Sequence, residues 1–203
     1  MKYFGTDGFR GEANVDLNVV HAYKVGRFLG WYYGQEHKAR IVIGKDTRRS
    51  SYMFEDALSA GLTASGADVY LLHVTPTPSV SYVVRTEQFD CGIMISASHN
   101  PYYDNGIKIF DSSANKISSN IIEDIKNHLD MNHPFELKDL GKIRYINKYQ
   151  EYFLSFKENL INNKLKIVFD LSNGAFSSFK DYFYKFNIKT INDEPNGKNI
   201  NDQ

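Results

Sequence analysis

The stretch CGIMISASHNPYYDNGIKIF, Cys91–Phe110, joins two apolar runs through a polar centre that is rich in turn-forming residues. A short, near-continuous apolar run such as CGIMI is typical of a strand that is covered on both faces. The Asn-Pro and Asn-Gly pairs account for a turn, but they do not account for Ser98, His99 and Lys108. Open α/β sheets bind their ligands at the carboxyl ends of such strands. The stretch therefore predicts a strand, a loop with a candidate reactive serine, and a second strand.

A purely structural interpretation of the same loop stays open. Ser98 and Asn100 are residues that bond to nearby backbone in ordinary turns. Strand alternation places Lys108 on the face opposite to Ile107 and Ile109, where a solvated lysine is common.

Outward from this stretch, strands and helices alternate. Ala39–Gly44 and Asp68–Val74 are two more short apolar runs, which indicate buried strands. Helical spacing links Ala22, Val25, Phe28, Leu29 and Tyr32, and also Phe54, Ala57, Leu58, Gly61 and Leu62. The alternation predicts an α/β fold with a mixed sheet sandwiched between helices.

The helix starts are predicted from capping residues. Ser50 or Ser51 is the expected cap of the second helix, and Thr77 before Pro78 that of the third. A fourth helix is expected to start near Asn120.

Two domains are expected, residues 1–148 and 149–203, with the boundary in a polar segment interrupted by Pro134 and Gly141. The second begins with a helix, has one strand within Leu165–Leu171, and continues into another helix. These elements are too few to cover a sheet, so exposed aromatic side chains are expected. They are Tyr152, Phe153, Phe156, Phe179, Phe183 and Phe186.

Composition excludes several classes of protein. Lys plus Arg and Asp plus Glu balance at 24 each, so no net field favours nucleic acid. No apolar signal core or membrane span is visible, so no membrane partner is expected. The lone Cys91 cannot form an internal disulfide, which suits a reducing compartment. A cytoplasmic protein is predicted.

Two further stretches are candidates for binding anions. YFGTDGFRG (Tyr3–Gly11) combines glycines, which let backbone N–H groups approach an anion, with Arg10, which can bind phosphate. The alternative is a hairpin turn followed by a surface arginine. IGKDTRRSS (Ile43–Ser51) lies between a strand and a helix, and it predicts an anion-binding or domain-contact corner, or simply a solvated loop.

Other chemistries are not supported. The P-loop and dinucleotide fingerprints are absent, and the histidines lack metal-ligand spacing. A hydrolase triad is rejected because Ser98 and His99 would point to opposite faces of an extended chain, and because no G-x-S-x-G motif is present.

Together and in this order, FGTDGFRG, GKDTRRS, TPTPSVSY, ISASHNPYYDNGIKIF and FDLSNGA resemble the α-D-phosphohexomutase family. The resemblance runs from Lys2 through PNGKNIN. It implies four α/β domains around a cleft, and transfer of phosphate between the C1 and C6 oxygens of a hexose phosphate. The opening and the serine loop are most similar to the branch that interconverts glucosamine 6- and 1-phosphates.

The resemblance also implies roles for single residues. Ser98 would be the phosphoserine, and its phosphate would be a ligand of one Mg²⁺ ion. His99 and Asn100 would shape the loop, and Lys108 would transfer protons to and from the sugar. The remaining site residues are Thr6 and Arg10, beside the phosphoserine, and Arg48, on the substrate side of the loop. The expected partners are a sugar phosphate and a hexosamine 1,6-bisphosphate intermediate.

The chain departs from the family pattern because the D-G-D-[AG]-D-R magnesium loop and the later sugar and phosphate loops are absent. It is therefore expected to be the N-terminal portion of a mutase, inactive alone. The alternatives are a glucose or mannose phosphate mutase of the same family, and a non-catalytic assembly module that pairs with a second copy as a homodimer.

Overall fold

A computed structural model describes residues 4–5, 8–131, 139–161, 166–186 and 188–202. The larger of its two sheets has seven strands in the order β1-β2-β6-β5-β3-β4-β7. Its strands are β1 (Phe4–Gly5), β2 (Gly8–Glu12), β3 (Arg40–Lys45), β4 (Asp68–Val74), β5 (Cys91–Ile95), β6 (Asp104–Asp111) and β7 (Ile143–Tyr145). The β5-β3-β4-β7 part is parallel, whereas β6 and β2 run antiparallel to their neighbours. The predicted mixed sheet is confirmed.

Helices cover both faces of this sheet. They are α1 (Val19–Tyr33), α2 (Arg49–Ala64), α3 (Thr77–Thr86) and α4 (Ser119–Asp130). Buried residues of α1, α2 and α4 pack with Ile93 and Ile107 in one core cluster. Buried residues of α3 pack with Val42 and Met94 in another. Helices α1 and α2 approach so closely that a Cβ on Gly61 would lie 2.2 Å from the carbonyl oxygen of Tyr23.

The predicted cap of α2 was wrong by two or three residues and that of α3 by one, whereas α4 begins at Ser119, next to the predicted Asn120. Helix α2 begins at Arg49 with Arg48 as its cap residue, not Ser50 or Ser51, and Arg48 makes no side-chain capping bond. Thr77 is the first residue of α3, with Pro76 before it. Ser118 caps α4 by accepting a hydrogen bond from the backbone N–H of Ile121.

The segment from residue 149 onward is better packed than the sequence predicted. It contains α5 (Tyr149–Ile161), β8 (Val168–Asp170), a 3₁₀ turn (Ala175–Phe179), α6 (Lys180–Lys185) and β9 (Lys189–Ile191). The second strand, β9, was not predicted, and it pairs in parallel with β8. Phe153, Phe179 and Phe183 were expected to be exposed, but they are buried in one aromatic cluster between these elements. The division at residue 148 stays a prediction.

No helix within the described ranges combines the length and the apolar character that crossing a membrane requires. Cys91, on β5, is buried, and burial raises the pKa of its thiol.

Candidate active site

Ser98 lies in the loop between β5 and β6, three residues beyond the end of β5. Its side chain is exposed, and its backbone is left-handed with φ 57°. A left-handed residue other than glycine costs about 1–3 kcal/mol, and it persists only when the surroundings fix it. The sequence-based argument against a hydrolase triad assumed an extended backbone at Ser98, and that assumption was wrong. The other argument, that no G-x-S-x-G motif is present, still excludes the triad.

Arg48 fixes the backbone of this loop through hydrogen bonds to its carbonyl groups. Its Nη2 donates to the carbonyl oxygens of Ser98, at 3.1 Å, and Asn100, at 2.6 Å. Its Nε donates to the carbonyl oxygen of Asp104 at 2.9 Å. The Arg48 side chain is fully buried, so it contacts the underside of the serine loop and not a substrate in the open cleft.

Asp46 in turn orients Arg48. The carboxylate accepts from Arg48 Nη1 at 3.1 Å, and it also accepts from the Arg48 backbone N–H and from Ser51 Oγ. Burial lowers the pKa of Arg48, whereas the charges of Asp46 and Asp104 oppose that shift and Arg10 adds to it. Since arginine stays protonated in proteins, the pair is a buried ion pair that anchors the loop.

Arg10 and Lys108 lie on one face of the sheet beside the loop. Arg10 pairs with Gly106 across β2 and β6, and Lys108 pairs with Met94 across β6 and β5. Ile107, which lies between Gly106 and Lys108 on β6, points into the core on the other face. Lys108 is half-buried. This face therefore brings two cations toward the loop that holds Ser98.

The corner predicted from IGKDTRRSS is a contact between segments. Lys45 is buried in an ion pair with Glu55, so it is not available to an anion. Thr47 Oγ1 donates to the carbonyl oxygen of Asn173 at 2.6 Å, and the N–H of Arg49 donates to the carbonyl oxygen of Gly197 at 3.2 Å. The domain-contact alternative fits this geometry, and the anion-binding one does not.

The opening of the chain forms the hairpin that was the alternative interpretation, because Gly5 pairs with Gly8 across β1 and β2. Thr6, predicted to lie against the phosphoserine, falls outside the described residues. His99 is exposed beside Ser98. Asn100 closes the loop, since its Nδ2 donates to Asp104 Oδ2 at 2.8 Å.

A cavity of about 820 Å³ opens next to the serine. Ser98, Ser96 and Asp46 line one side, and Asp170 and Asn201 belong to the other. The cavity therefore lies between the first sheet and the segment that follows residue 149, and it is large enough for a sugar phosphate.

A magnesium site is not formed by these residues alone. Nowhere in the described ranges do three or more acidic, histidine or cysteine side chains converge as metal ligands would. A phosphate oxygen on Ser98 would be the one ligand that the described site offers.

Sequence reasoning missed two residues of this site. Asp46 was noticed as part of a charged corner and as a carboxylate that lacks metal-site spacing, and Asn201 was taken as part of a polar loop. Asn201 Nδ2 donates to the carbonyl oxygen of Ser98 at 3.2 Å. The position of Asp46 directly after β3 was an available signal for it, whereas no local signal marks a contact between residues 103 positions apart.

Residues 1–134 match the family described as phosphoglucomutase/phosphomannomutase, alpha/beta/alpha domain I. The chain belongs to this family. Phosphoglucosamine mutases of Lachnospira eligens and Lachnoclostridium phytofermentans are each 54% identical to it over 98% of its length. These alignments cover 47% of each relative, so this phosphohexomutase chain spans about half the length of the curated relatives it matches.

Solved structures agree with the fold of this phosphohexomutase chain. A crystal structure of a phosphoglucomutase/phosphomannomutase family protein from Burkholderia thailandensis superposes with a TM-score of 0.83 at 22% identity. The superposition covers 97% of this chain and 45% of the other.

Proposed function

We propose that these residues are the N-terminal portion of a phosphoglucosamine mutase, in which Ser98 carries the phosphate that interconverts glucosamine 6- and 1-phosphates. The observation that carries the proposal is the exposed, left-handed Ser98 at a cavity, with its carbonyl fixed by a buried arginine. The similarity to curated phosphoglucosamine mutases supports this substrate over other hexose phosphates.

The proposed transfer uses Ser98 as the carrier of the phosphate. A phosphate on Ser98 Oγ passes to a sugar hydroxyl, so the serine P–O bond breaks and a sugar P–O bond forms. The hexosamine 1,6-bisphosphate then returns its other phosphate to the serine. Such transfers depend on positioning and on neutralising charge, because there is little covalent chemistry for the protein to do. Arg48 fixes the serine backbone, and Arg10 is the nearby cation for the phosphate oxygens.

Lys108 is the proposed proton carrier. The attacking sugar hydroxyl must lose a proton, and the serine oxygen must gain one when phosphate leaves it. Lysine is one of the side chains that act as general acids and bases in enzymes, which suits this exchange. A cytoplasmic location and one Mg²⁺ ion are also part of the proposal, and the other magnesium ligands must come from outside the described residues.

The test is to label a full-length protein that contains residues 1–203. Incubation with ³²P-labelled glucosamine 1,6-bisphosphate should place the label on the peptide that contains Ser98. Ser98→Ala should abolish labelling, whereas Ser112→Ala, at an exposed serine in the turn after β6, is the control and should be labelled like the wild type. Label on Ser96, or on no serine, would contradict the assignment.

Substrate competition tests the sugar. Glucosamine 6-phosphate should be turned over with a higher kcat/KM than glucose 6-phosphate or mannose 6-phosphate. Faster turnover of either of the latter would assign the protein to another branch of the family.

A further inference from the structure

The carbonyl group of Ser98 is held from two parts of the chain. Arg48, in the corner after β3, donates from one side at 3.1 Å, and Asn201, far along the chain, donates from another at 3.2 Å. A carbonyl oxygen has two lone pairs, so both donors are accommodated. The two bonds fix the plane of the peptide that follows the serine, and with it the direction in which the serine side chain points.

Asn201 is itself held in place. Its N–H donates to the carbonyl oxygen of Ser172 at 2.8 Å, and its φ of 56° is one that asparagine tolerates better than most residues. Ser172 belongs to the turn directly after β8. The position of Asn201 is therefore set by the second sheet and not by the first.

The same turn contacts the Arg48 corner directly. Asn173, next to Ser172, accepts the bond from Thr47 Oγ1, and its Nδ2 donates to the carbonyl oxygen of Asn199 at 3.2 Å. Thr47 precedes Arg48 in the sequence. The turn after β8 is thus bonded both to Asn201 and to Thr47, the residue before Arg48. Arg48 also has anchors of its own in Asp46 and Asp104, so a displacement of the turn would chiefly move Asn201.

We propose that Asn201 is a positioning residue that makes the orientation of Ser98 depend on how the β8–β9 sheet packs against the serine loop. While the β8–β9 sheet is packed there, the serine is held in its left-handed conformation. When the sheet moves away, the Asn201 donor is withdrawn and the strained conformation relaxes. This inference deepens the proposed function and rests on it for its catalytic consequence, but the coupling itself is a property of the fold.

Amide exchange in the 203-residue chain tests the coupling without reference to activity. Asn201→Gly removes the side-chain donor and tolerates the left-handed backbone. Asn14→Gly is the matched control, because Asn14 is also exposed and left-handed, with φ 67°, and lies in the turn after β2. One lost hydrogen bond corresponds to roughly a two- to tenfold change in an equilibrium.

The N–H groups of Ser98 and Asn100 are the reporters, since they donate within the loop to Ser96 Oγ and to the carbonyl oxygen of Ala97. Asn201→Gly should speed their exchange by roughly two- to tenfold and leave the amides of β5 unchanged. Asn14→Gly should leave the loop at its wild-type rate. Unchanged loop exchange in Asn201→Gly, or an equal rise across β5, would overturn the proposal.

Kinetics in a full-length protein test the catalytic consequence. Asn201→Gly should lower kcat by a similar factor and leave KM for glucosamine 6-phosphate unchanged, and Asn201→Asp, which places a carboxylate against the carbonyl, should lower kcat further. A raised KM with an unchanged kcat would overturn the positioning role. Faster loop exchange in a protein whose wild type shows no turnover would instead refute the proposed function and leave the coupling standing.

Discussion

Replacing Arg48 by methionine should be the most destabilising single change at the serine loop. Methionine fills similar space but offers no donor, so the substitution removes the bonds to the carbonyl oxygens of Ser98, Asn100 and Asp104. It also leaves the Asp46 carboxylate without its buried counter-charge. Removing one partner of a buried pair typically costs about 3–5 kcal/mol. That is a large fraction of the roughly 5–15 kcal/mol that stabilises a typical protein.

The neighbouring arginine is the matched control for this experiment. Arg49 is exposed, and its backbone N–H donates to the carbonyl oxygen of Gly197, a bond that a methionine retains. Arg49→Met should therefore change the free energy of unfolding by no more than about 0.5 kcal/mol. Urea unfolding followed by far-UV circular dichroism measures both variants.

A double-mutant cycle separates the ion pair from the carbonyl contacts. Asp46→Asn removes the charge that Arg48→Met leaves unpaired, so the double variant should be more stable than the sum of the two single effects predicts. The coupling should lie in the range of about 0.5–3 kcal/mol that contacting residues show. A cost for Arg48→Met no larger than that for Arg49→Met, or strict additivity with Asp46→Asn, would refute the anchoring role.

Four more outcomes are expected. Gly61→Ala should lower the melting temperature, because the new Cβ would lie 2.2 Å from the carbonyl oxygen of Tyr23 and overpacking costs about 1–3 kcal/mol; an unchanged melting curve would contradict the close helix contact. Lys108→Ala in a full-length protein should lower turnover by about a hundredfold or more with little change in melting temperature, and near wild-type turnover would make Lys108 a solvated strand residue. Cys91 should resist iodoacetamide in the folded protein and react in urea, because burial raises the pKa of its thiol; prompt alkylation without denaturant would contradict its burial. The 203-residue chain alone should not interconvert glucosamine 6- and 1-phosphates, since its described residues form no magnesium cage, and turnover by a preparation free of host enzyme would refute that prediction.

The central strands were predictable because burial on both faces leaves a composition signal. β4 and β5 begin and end at the predicted residues, and β3 is displaced by one. β7 was not predicted as a strand, because it is only three residues long and all three are exposed. β9 lacked a signal for a similar reason, since only its central residue, Thr190, is buried.

The sequence predicted the loop that holds Ser98, but not the residues that hold that loop in place. Ser98 is at the end of an apolar run, where local sequence indicates a ligand-binding loop. Full burial of Arg48 was not predictable, because it depends on carbonyl groups that are about fifty residues away in the chain. The same is true of Asn201, whose polar surroundings give no sign of a partner in the first sheet.

The family match and the physical sheet end at different residues. The match stops at residue 134, but β7 (Ile143–Tyr145) forms the last strand of the first sheet by pairing with β4. The N–H of Val69 donates to the carbonyl oxygen of Lys142, and the N–H of Ile146 to that of Leu71. A recombinant domain ended at the family boundary would leave the outer edge of β4 without these partners. Unpaired strand edges recruit other chains, so such a domain should precipitate or self-associate where one ended at residue 148 stays dispersed.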